Sequence, residues 1–393
     1  MEQRHYFQLK GARAEAVIHA LATDTFFTDW CYPNPKRPNG EELCDLLVAF
    51  DDTAIIWQIK DLKVDEHGYY KKAEVEKNLR QLGGARRTLF ELKAPVTLSN
   101  PRRGAETFDP ATVKHVHLIS VLMGEGQEEM PIMTEIKGHV LHVFTREFSD
   151  VALRELDTIA DFCRYLRQKE ALYGRKRVLV FGGEENLLGK YIELGRNFDW
   201  MTGHDKVIIE DSVWQKVQTM PQFIEKKLLD RISYGWDSMI DRAHEGSERY
   251  EIVARELARP DRFSRRLLSR WFMEAYDDFM RSEGDMVRRM STHLDTTYCF
   301  LVTNDPAHGS ERSRNILRAM CFVARGLRME NQKVIGVSTT QMNRGYDFLL
   351  LVKPGWTAED EALKAQLQEA YGVFKNPRMF ETTESEYPPL RTG

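Results

Sequence analysis

The sequence lacks the long apolar runs and the cysteine framework that define several common classes of protein. No stretch approaches the ~20 consecutive apolar residues of a membrane-spanning helix, and the opening residues MEQRHYFQLK contain no apolar signal core. The five cysteines are odd in number and never spaced as CxxC, which argues against disulfides and against a cysteine-based zinc site. We therefore expect a cytoplasmic protein in a reducing compartment, without contact to a membrane.

The chain also lacks an excess of basic residues, since its formal net charge is −4 over 393 residues. Any nucleic-acid-binding surface must therefore be a local one. The length exceeds what one hydrophobic core usually serves, and a helical texture rich in Arg, Met and aromatic residues starts near residue 205. We predict an N-terminal domain over residues 1–200 and a C-terminal helical and α/β domain over residues 201–393, serving recognition, sensing or oligomerisation.

Hydrophobic periodicity predicts a mixture of helices and strands, which places the chain in the α/β class. The predicted helices cover residues 11–22, 72–92, 151–172 and 312–327. The predicted strands cover residues 113–122, 139–144, 177–183, 298–303, 333–339 and 347–352. Between these elements, residues 95–110 are predicted to form a loop and residues 205–293 to be helical.

Two apolar runs that are typical of strands flank an acidic pair, Asp51 and Asp52, and predict a β-hairpin. Polar residues nevertheless interrupt these runs at Asp45, Gln58 and Lys60. Directly paired residues of a hairpin project to the same side of the sheet. A two-residue turn would therefore place Asp45 opposite Gln58 and on the face of Lys60, whereas a three-residue loop would place Asp45 on the opposite face.

A half-buried carboxylate in this hairpin costs several kcal/mol unless a partner compensates its charge. A divalent cation is one such partner, and Mg²⁺ prefers hard oxygen ligands while it retains waters. Asp45 can supply a carboxylate oxygen, Gln58 an amide oxygen and Ile59 its backbone carbonyl. Lys60 is placed to hold or deprotonate an attacking water or to stabilise developing charge. This combination of residues is typical of metal-assisted phosphodiester hydrolysis.

With these residues in this order, residues 8–95 resemble the PD-(D/E)XK nuclease superfamily. That family's core is a helix carrying Glu, a β-hairpin carrying Asp and a (D/E/Q)-x-K end, and a second helix. In this sequence Glu15 corresponds to the helix acid and Asp45 to the central metal ligand, and Gln58, Ile59 and Lys60 form the terminal motif. The resemblance implies a restriction-endonuclease-like core, in which helices flank a mixed sheet.

The same resemblance implies a Mg²⁺-dependent DNA endonuclease, with Mn²⁺ able to substitute, of the kind found in restriction and phage-defence enzymes. The chain departs from the commoner family pattern at Gln58, where Asp or Glu would give the metal more charge. Glu42, three residues before Asp45, is a further candidate ligand. A homo-oligomer or a partner subunit is expected beside DNA. The alternative is a catalytically inactive, nuclease-like protein that binds nucleic acid or acts in assembly.

The segment after the hairpin is locally basic, since residues 60–103 contain eleven Lys or Arg against six Asp or Glu. Cations on one helix beside the hairpin could contact phosphates, although a solvated helix face would have the same composition. The candidate nucleic-acid-binding residues are Lys72, Lys77, Arg80, Gln81, Arg86 and Arg87.

Four histidines lie in pairs on two predicted strands, His115 with His117 and His139 with His142. Imidazoles on one strand face can bind zinc. Because no cysteine or acidic residue has a matching sequence spacing, we predict partly buried histidines instead.

A second motif, GGEENLLGKY, is similar to a phosphate-binding loop. It has five residues between Gly183 and Gly189 where that loop has four, and Tyr191 replaces the hydroxyl residue that would hold Mg²⁺. We therefore predict a tight turn from strand to helix at this segment.

Overall fold

A computed structural model describes residues 2–37, 39–92, 96–124, 126, 131–199, 201, 205–244, 250–306, 309–341, 345–375 and 383–388. The chain forms two compact units, Met1–Met220 and Pro221–Gly393. The first unit thus runs beyond the sequence-based boundary at residue 200. Residues past that boundary are held in the first unit by pairing and packing, since Trp214 N donates a hydrogen bond to Asn186 Oδ1 at 3.0 Å.

The first unit contains six helices and ten strands within the described residues. The helices are α1 (Glu2–Phe26), α2 (Lys72–Phe90), α3 (Arg146–Glu155), α4 (Ile159–Arg175), α5 (Glu184–Glu193) and α6 (Val213–Thr219). The strands are β1 (Cys31–Pro33), β2 (Leu46–Phe50), β3 (Thr53–Lys60), β4 (Val96–Asn100), β5 (Gly104–Phe108), β6 (His115–Leu122), β7 (Met133–Ile136), β8 (His139–Thr145), β9 (Arg177–Val180) and β10 (Lys206–Ile209).

The main sheet of this unit is mixed, in the order β1-β2-β3-β6-β8-β7. Its central strands β3, β6 and β8 are parallel to one another, while β2 and β7 pair with them as antiparallel strands. Helices cover both faces, and strands buried on both faces are apolar almost throughout. The predicted α/β class is therefore confirmed as helices flanking a mixed sheet.

The two faces of this sheet have separate cores. On one face, Leu47, Ile56 and Leu118 pack with the apolar stripe of α2, which includes Leu79 and Leu82. On the opposite face, aromatic rings from α1, α4 and the sheet form a cluster, with the rings of Trp57 and Phe162 stacked at 5.7 Å and those of Phe26 and Phe162 edge-to-face at 5.2 Å. Alternate residues of each strand therefore serve different helices.

Several sequence-based predictions need correction in this unit. The helix predicted over residues 151–172 is broken into α3 and α4, because Thr158 acts as the N-cap of α4 and its hydroxyl accepts a hydrogen bond from Asp161 N at 3.1 Å. The strand predicted over residues 177–183 ends at Val180, and among the described strands its one partner is β10. The loop predicted over residues 95–110 contains the hairpin of β4 and β5.

The second unit also combines helices with a mixed sheet. Its helices are α7 (Pro221–Asp230), α8 (Tyr234–His244), α9 (Glu251–Ala258), α10 (Arg262–Arg281), α11 (Glu311–Leu327) and α12 (Ala358–Tyr371). Its strands are β11 (Met286–His293), β12 (Thr296–Thr303), β13 (Lys333–Thr340) and β14 (Tyr346–Val352), which form one sheet in that order. The predicted strand–helix–strand pattern is confirmed, but β10 and β11 fall within the region predicted to be helical.

None of the helices in the described part of the chain combines the length and the apolar composition that crossing a membrane requires.

Candidate functional site

The hairpin turn has the length on which the predicted site depends. The residues that flank Asp51 and Asp52 pair directly with each other, so these two residues form the turn. Asp51 has a φ of 51°, in the left-handed region that Asp tolerates better than most residues. The pairing continues down the hairpin until Asp45 N donates to Trp57 O at 3.2 Å. The predicted two-residue turn is confirmed, and Asp45 lies opposite Gln58.

The Asp45 carboxylate is buried, and its two oxygens have different surroundings. Oδ2 accepts hydrogen bonds from Gln58 Nε2 at 2.8 Å and from Ile59 N. Oδ1 is buried without a hydrogen-bond partner, and Lys60 Nζ lies 3.9 Å from it. Asp45 is 1% exposed, whereas the Lys60 side chain is 36% exposed. One oxygen is thus fixed by the strand, while the other remains available beside a cation.

The charge balance at Asp45 favours an additional cation. Burial first of all, and then the neighbouring Glu42 carboxyl, raise the pKa of Asp45 to about 8 against the opposing charge of Lys60. A carboxyl group with this pKa is mostly protonated at neutral pH. A bound divalent cation would reverse that preference, because a nearby positive charge stabilises the carboxylate form.

Further side chains of α1 lie close to the carboxylate. Glu15 is half-buried, and burial and the charge of Glu42 raise its pKa, while the charge of Lys60 opposes them. His19 Nε2 lies 2.9 Å from the backbone oxygen of Asp45, and burial lowers the pKa of His19. Sequence reasoning missed His19, although its position four residues after Glu15 places both on one face of the helix.

These groups offer oxygen ligands, as Mg²⁺ requires, but in a loose arrangement. In an extended strand the N–H and C=O of a residue point to the same side, so the Ile59 carbonyl faces the side on which Asp45 lies. Gln58, predicted as a ligand, uses its amide nitrogen to orient Asp45. Among the described residues, Glu15, Glu42 and Asp45 do not form a group whose ligand atoms all lie within 4.8 Å. A Mg²⁺ ion here would therefore keep several waters.

A polar connection links this site to α2. Gln58 pairs with Ser120 of β6 in the parallel register, and Asn78 Nδ2 on α2 donates to Ser120 Oγ at 2.8 Å. Asn78 is buried, so this hydrogen bond lies in the core between α2 and the sheet, on the face to which Asp45 projects. The basic helix is therefore tied by a specific contact to the strand next to the site.

The predicted nucleic-acid-binding residues all lie on α2, but they differ in their contacts. Arg80 pairs with Glu76 at 3.7 Å, and Arg86 and Arg87 pair with Glu91 at 3.2 and 3.8 Å. These acids reduce the net charge that the three arginines present. The exposed members of the set are Lys72, Lys77, Arg80, Gln81 and Arg87.

Two of the four predicted strand histidines form a second polar cluster with a residue from a distant helix. Among the described residues, the one group of three His, Cys, Asp or Glu side chains with all ligand atoms within 4.8 Å consists of His117, His142 and Glu170. His115 is exposed, and His139 is half-buried outside this group. Glu170 is the acidic partner that sequence spacing did not reveal, because α4 brings it to the sheet.

The glycine-rich segment forms a tight turn into α5, as predicted. Gly182 and Gly183 have φ values of 70° and 102°, and Gly183 is the N-cap of α5. The first helical residue, Glu184, is buried and pairs with Lys169 Nζ at 2.7 Å. A buried carboxylate at this helix start opposes the binding of a phosphate.

Comparisons of this chain with protein-family models, with curated proteins and with solved structures found no match.

Proposed function

We propose that the chain is a Mg²⁺-dependent DNA endonuclease whose first unit has a restriction-endonuclease-like, PD-(D/E)XK type core. The single observation that carries this proposal is the meeting of Asp45 and Lys60 at the end of one hairpin. There a buried carboxylate oxygen without a hydrogen-bond partner lies 3.9 Å from the Lys60 ammonium. A carboxylate oxygen that can hold a metal ion beside a lysine that can stabilise developing charge suits metal-assisted phosphodiester hydrolysis.

Each residue has a distinct part in the proposed reaction. Asp45 Oδ1, the Ile59 carbonyl and a carboxylate from Glu15 or Glu42 would hold Mg²⁺. When bound, the ion would supply Lewis-acid activation of the scissile phosphodiester. Lys60 orients the attacking water and stabilises the negative charge that develops on the phosphate oxygens.

Gln58 serves this arrangement through Asp45. Its amide nitrogen and Ile59 N both bind Oδ2, so they hold the carboxylate in one orientation while Oδ1 faces Lys60. Preorganisation of this kind lowers the reorganisation needed during the reaction.

A second candidate function is a catalytically inactive, nuclease-like protein that binds nucleic acid or acts in assembly. The loose spacing of Glu15, Glu42 and Asp45 favours it, because fewer protein ligands reach one ion. Divalent binding discriminates the two candidates. DNA binding without Mg²⁺ or Mn²⁺ binding at Asp45 would favour the inactive protein.

The proposal is tested by incubating supercoiled plasmid with the purified full chain and Mg²⁺. Wild type should nick or linearise the plasmid, and EDTA or Lys60→Ala should abolish cleavage. Lys114→Ala is the matched control, since Lys114 is exposed and pairs with Asp52 at the turn end of the same hairpin. Equal cleavage by wild type and Lys60→Ala would show that the activity does not come from this site.

A role in prokaryotic defence against phage, with a homo-oligomer or a partner subunit, is part of the same proposal. It rests on the resemblance of the site motif to restriction and phage-defence enzymes. Cells that express the wild-type chain should plate phage less efficiently than cells that express Lys60→Ala. If phage plate equally well on both kinds of cell at equal protein levels, the defence role is wrong. The nuclease proposal would then still be decided by the plasmid assay.

A further inference from the structure

Glu170, His117 and His142 meet around a single carboxylate oxygen. Glu170 Oε1 lies 3.1 Å from His117 Nδ1 and 2.9 Å from His142 Nε2. The two histidines come from neighbouring parallel strands, β6 and β8, and Glu170 comes from the middle of α4. Three elements that are distant in sequence thus direct three potential ligand atoms toward one point.

This point lies on the other face of the sheet from the hairpin site. His142 pairs with Ile119, and Ile119 pairs with Trp57, so His142 projects to the face of the aromatic cluster. Gln58, the neighbour of Trp57, projects to the α2 face together with Asp45. The cluster is therefore separate from the proposed nuclease site, although both belong to the same sheet.

The cluster is buried at the histidines and open at the carboxylate. The side chains of His117 and His142 are 3% and 0% exposed, whereas that of Glu170 is 30% exposed. The nitrogens that face the carboxylate, His117 Nδ1 and His142 Nε2, share one Glu170 oxygen as their partner. A metal ion at this point would bind the lone pairs of both nitrogens and the carboxylate oxygen together.

The neighbouring cation does not take the Glu170 carboxylate from the cluster. Lys169 pairs instead with Glu184, with Lys169 Nζ 2.7 Å from Glu184 Oε1. The two imidazoles and the carboxylate therefore remain together as one set of two nitrogen ligands and one oxygen ligand.

We propose that His117, His142 and Glu170 bind a Zn²⁺ ion, with the fourth position left open to solvent. Two neutral imidazoles and one carboxylate are a known zinc ligand set of three protein groups with an open position. The nitrogen donors favour Zn²⁺ over Mg²⁺, which takes oxygen ligands. The ion would link β6, β8 and α4, and its presence does not depend on the proposed nuclease activity.

Metal binding to the full chain, stripped with EDTA and then freed of chelator, tests this site. Zn²⁺ titrated against a chromophoric chelator should bind in one equivalent, and Co²⁺ should give the intense visible absorption of a tetrahedral site. Glu170→Gln keeps an oxygen for the two histidines and should weaken Zn²⁺ binding at least about 100-fold. His115→Gln, on the same strand as His117 but exposed, should bind like wild type.

Three outcomes would overturn the proposal. The first is that Co²⁺ gives no tetrahedral spectrum with the wild-type chain. The second is that wild type and Glu170→Gln bind Zn²⁺ with equal affinity. The third is that Glu170→Gln and His115→Gln lose Zn²⁺ affinity equally. The wild-type spectrum requires no substitution, so a variant that fails to fold does not affect it. Lys60→Ala should keep the Zn²⁺ site, which separates failure of this site from failure of the proposed nuclease.

Discussion

The side-chain amide nitrogen of Gln58 lies 2.8 Å from Asp45 Oδ2, across the hairpin whose turn is Asp51 and Asp52. This bond exists because a two-residue turn places the two side chains on the same face of the sheet. It occupies Oδ2 and leaves Oδ1 beside Lys60. The orientation of one carboxylate therefore follows from the number of residues in a turn several positions away.

Replacement of Asp45 by Asn should separate stability from activity. Burial raises the pKa of Asp45 from 3.8 to about 8, so the metal-free fold prefers the neutral carboxyl and loses stability as the pH rises from 3.8 to about 8. At about pH 9 in EDTA, Asp45→Asn should melt at a higher temperature than wild type, by roughly 2–4 °C for each kcal/mol gained. The same variant should neither cleave plasmid nor gain stability from Mg²⁺.

Asp52→Asn provides the control for this comparison, since Asp52 lies on the same hairpin at the turn. It should retain both plasmid cleavage and the stabilisation by Mg²⁺. If Asp45→Asn is still stabilised by Mg²⁺ to the wild-type extent, the ion binds elsewhere.

Removal of the exposed lysines of α2 should weaken DNA binding without abolishing the chemistry. Lys72→Gln with Lys77→Gln removes two cations that are exposed on α2. Each lost phosphate contact should reduce the slope of log affinity against log salt by about 1. Fluorescence anisotropy with labelled duplex DNA over a salt series measures this slope. Lys216→Gln on α6 is the matched control, and a loss of equal size in that variant would mean that α2 is not the binding surface.

The buried pair of Lys169 and Glu184 should make stability depend on pH. Burial raises the pKa of Glu184 from 4.5 to about 7, although Lys169 and Tyr165 oppose the rise. A raised carboxyl pKa contributes stability that is complete below pH 4.5 and is lost as the pH increases to about 7. The stability advantage of wild type over Glu184→Gln should therefore shrink between those values, by at most about 1.4 kcal/mol per pH unit.

Urea unfolding of both chains at about pH 5 and about pH 8 measures this difference. Gln keeps an oxygen that can accept the Lys169 hydrogen bond, so the comparison isolates the titration. In the control variant Glu135→Gln, at an exposed position, the difference in unfolding free energy from wild type should be the same at both pH values. A wild-type advantage that grows with pH would contradict the assignment.

The hydrogen bond between Asn78 and Ser120 should couple α2 to the sheet. Asn78→Ala leaves the buried Ser120 hydroxyl without its donor and should lower the free energy of unfolding by about 1–3 kcal/mol. Ser120→Ala and the double variant complete a double-mutant cycle, in which a coupling of at least about 0.5 kcal/mol is expected. Additive effects would mean that the contact does not contribute to stability.

Local sequence patterns predicted much of this fold correctly. Hydrophobic periodicity predicted the helix over residues 72–92, and the apolar residues that produce it, Val75, Leu79, Leu82 and Leu89, are buried in α2. The hairpin was predictable because two strand-like runs flank a short acidic turn. The break between α3 and α4 was missed, because the helical periodicity continues across Thr158 and only the cap interrupts it.

By itself, the sequence determined the features that depend on residues close together in the chain. Strand alternation placed Gln58 and Lys60 on one face and limited Asp45 to two positions, on that face with a two-residue turn or opposite it with a three-residue loop. Tertiary structure decided how deeply Asp45 is buried, and it brought Glu170 to His142 across 28 residues. The physical reason is that strand pairing and turn length are local constraints, whereas the position of α4 follows from the packing of Phe162 against Trp57 across the whole core.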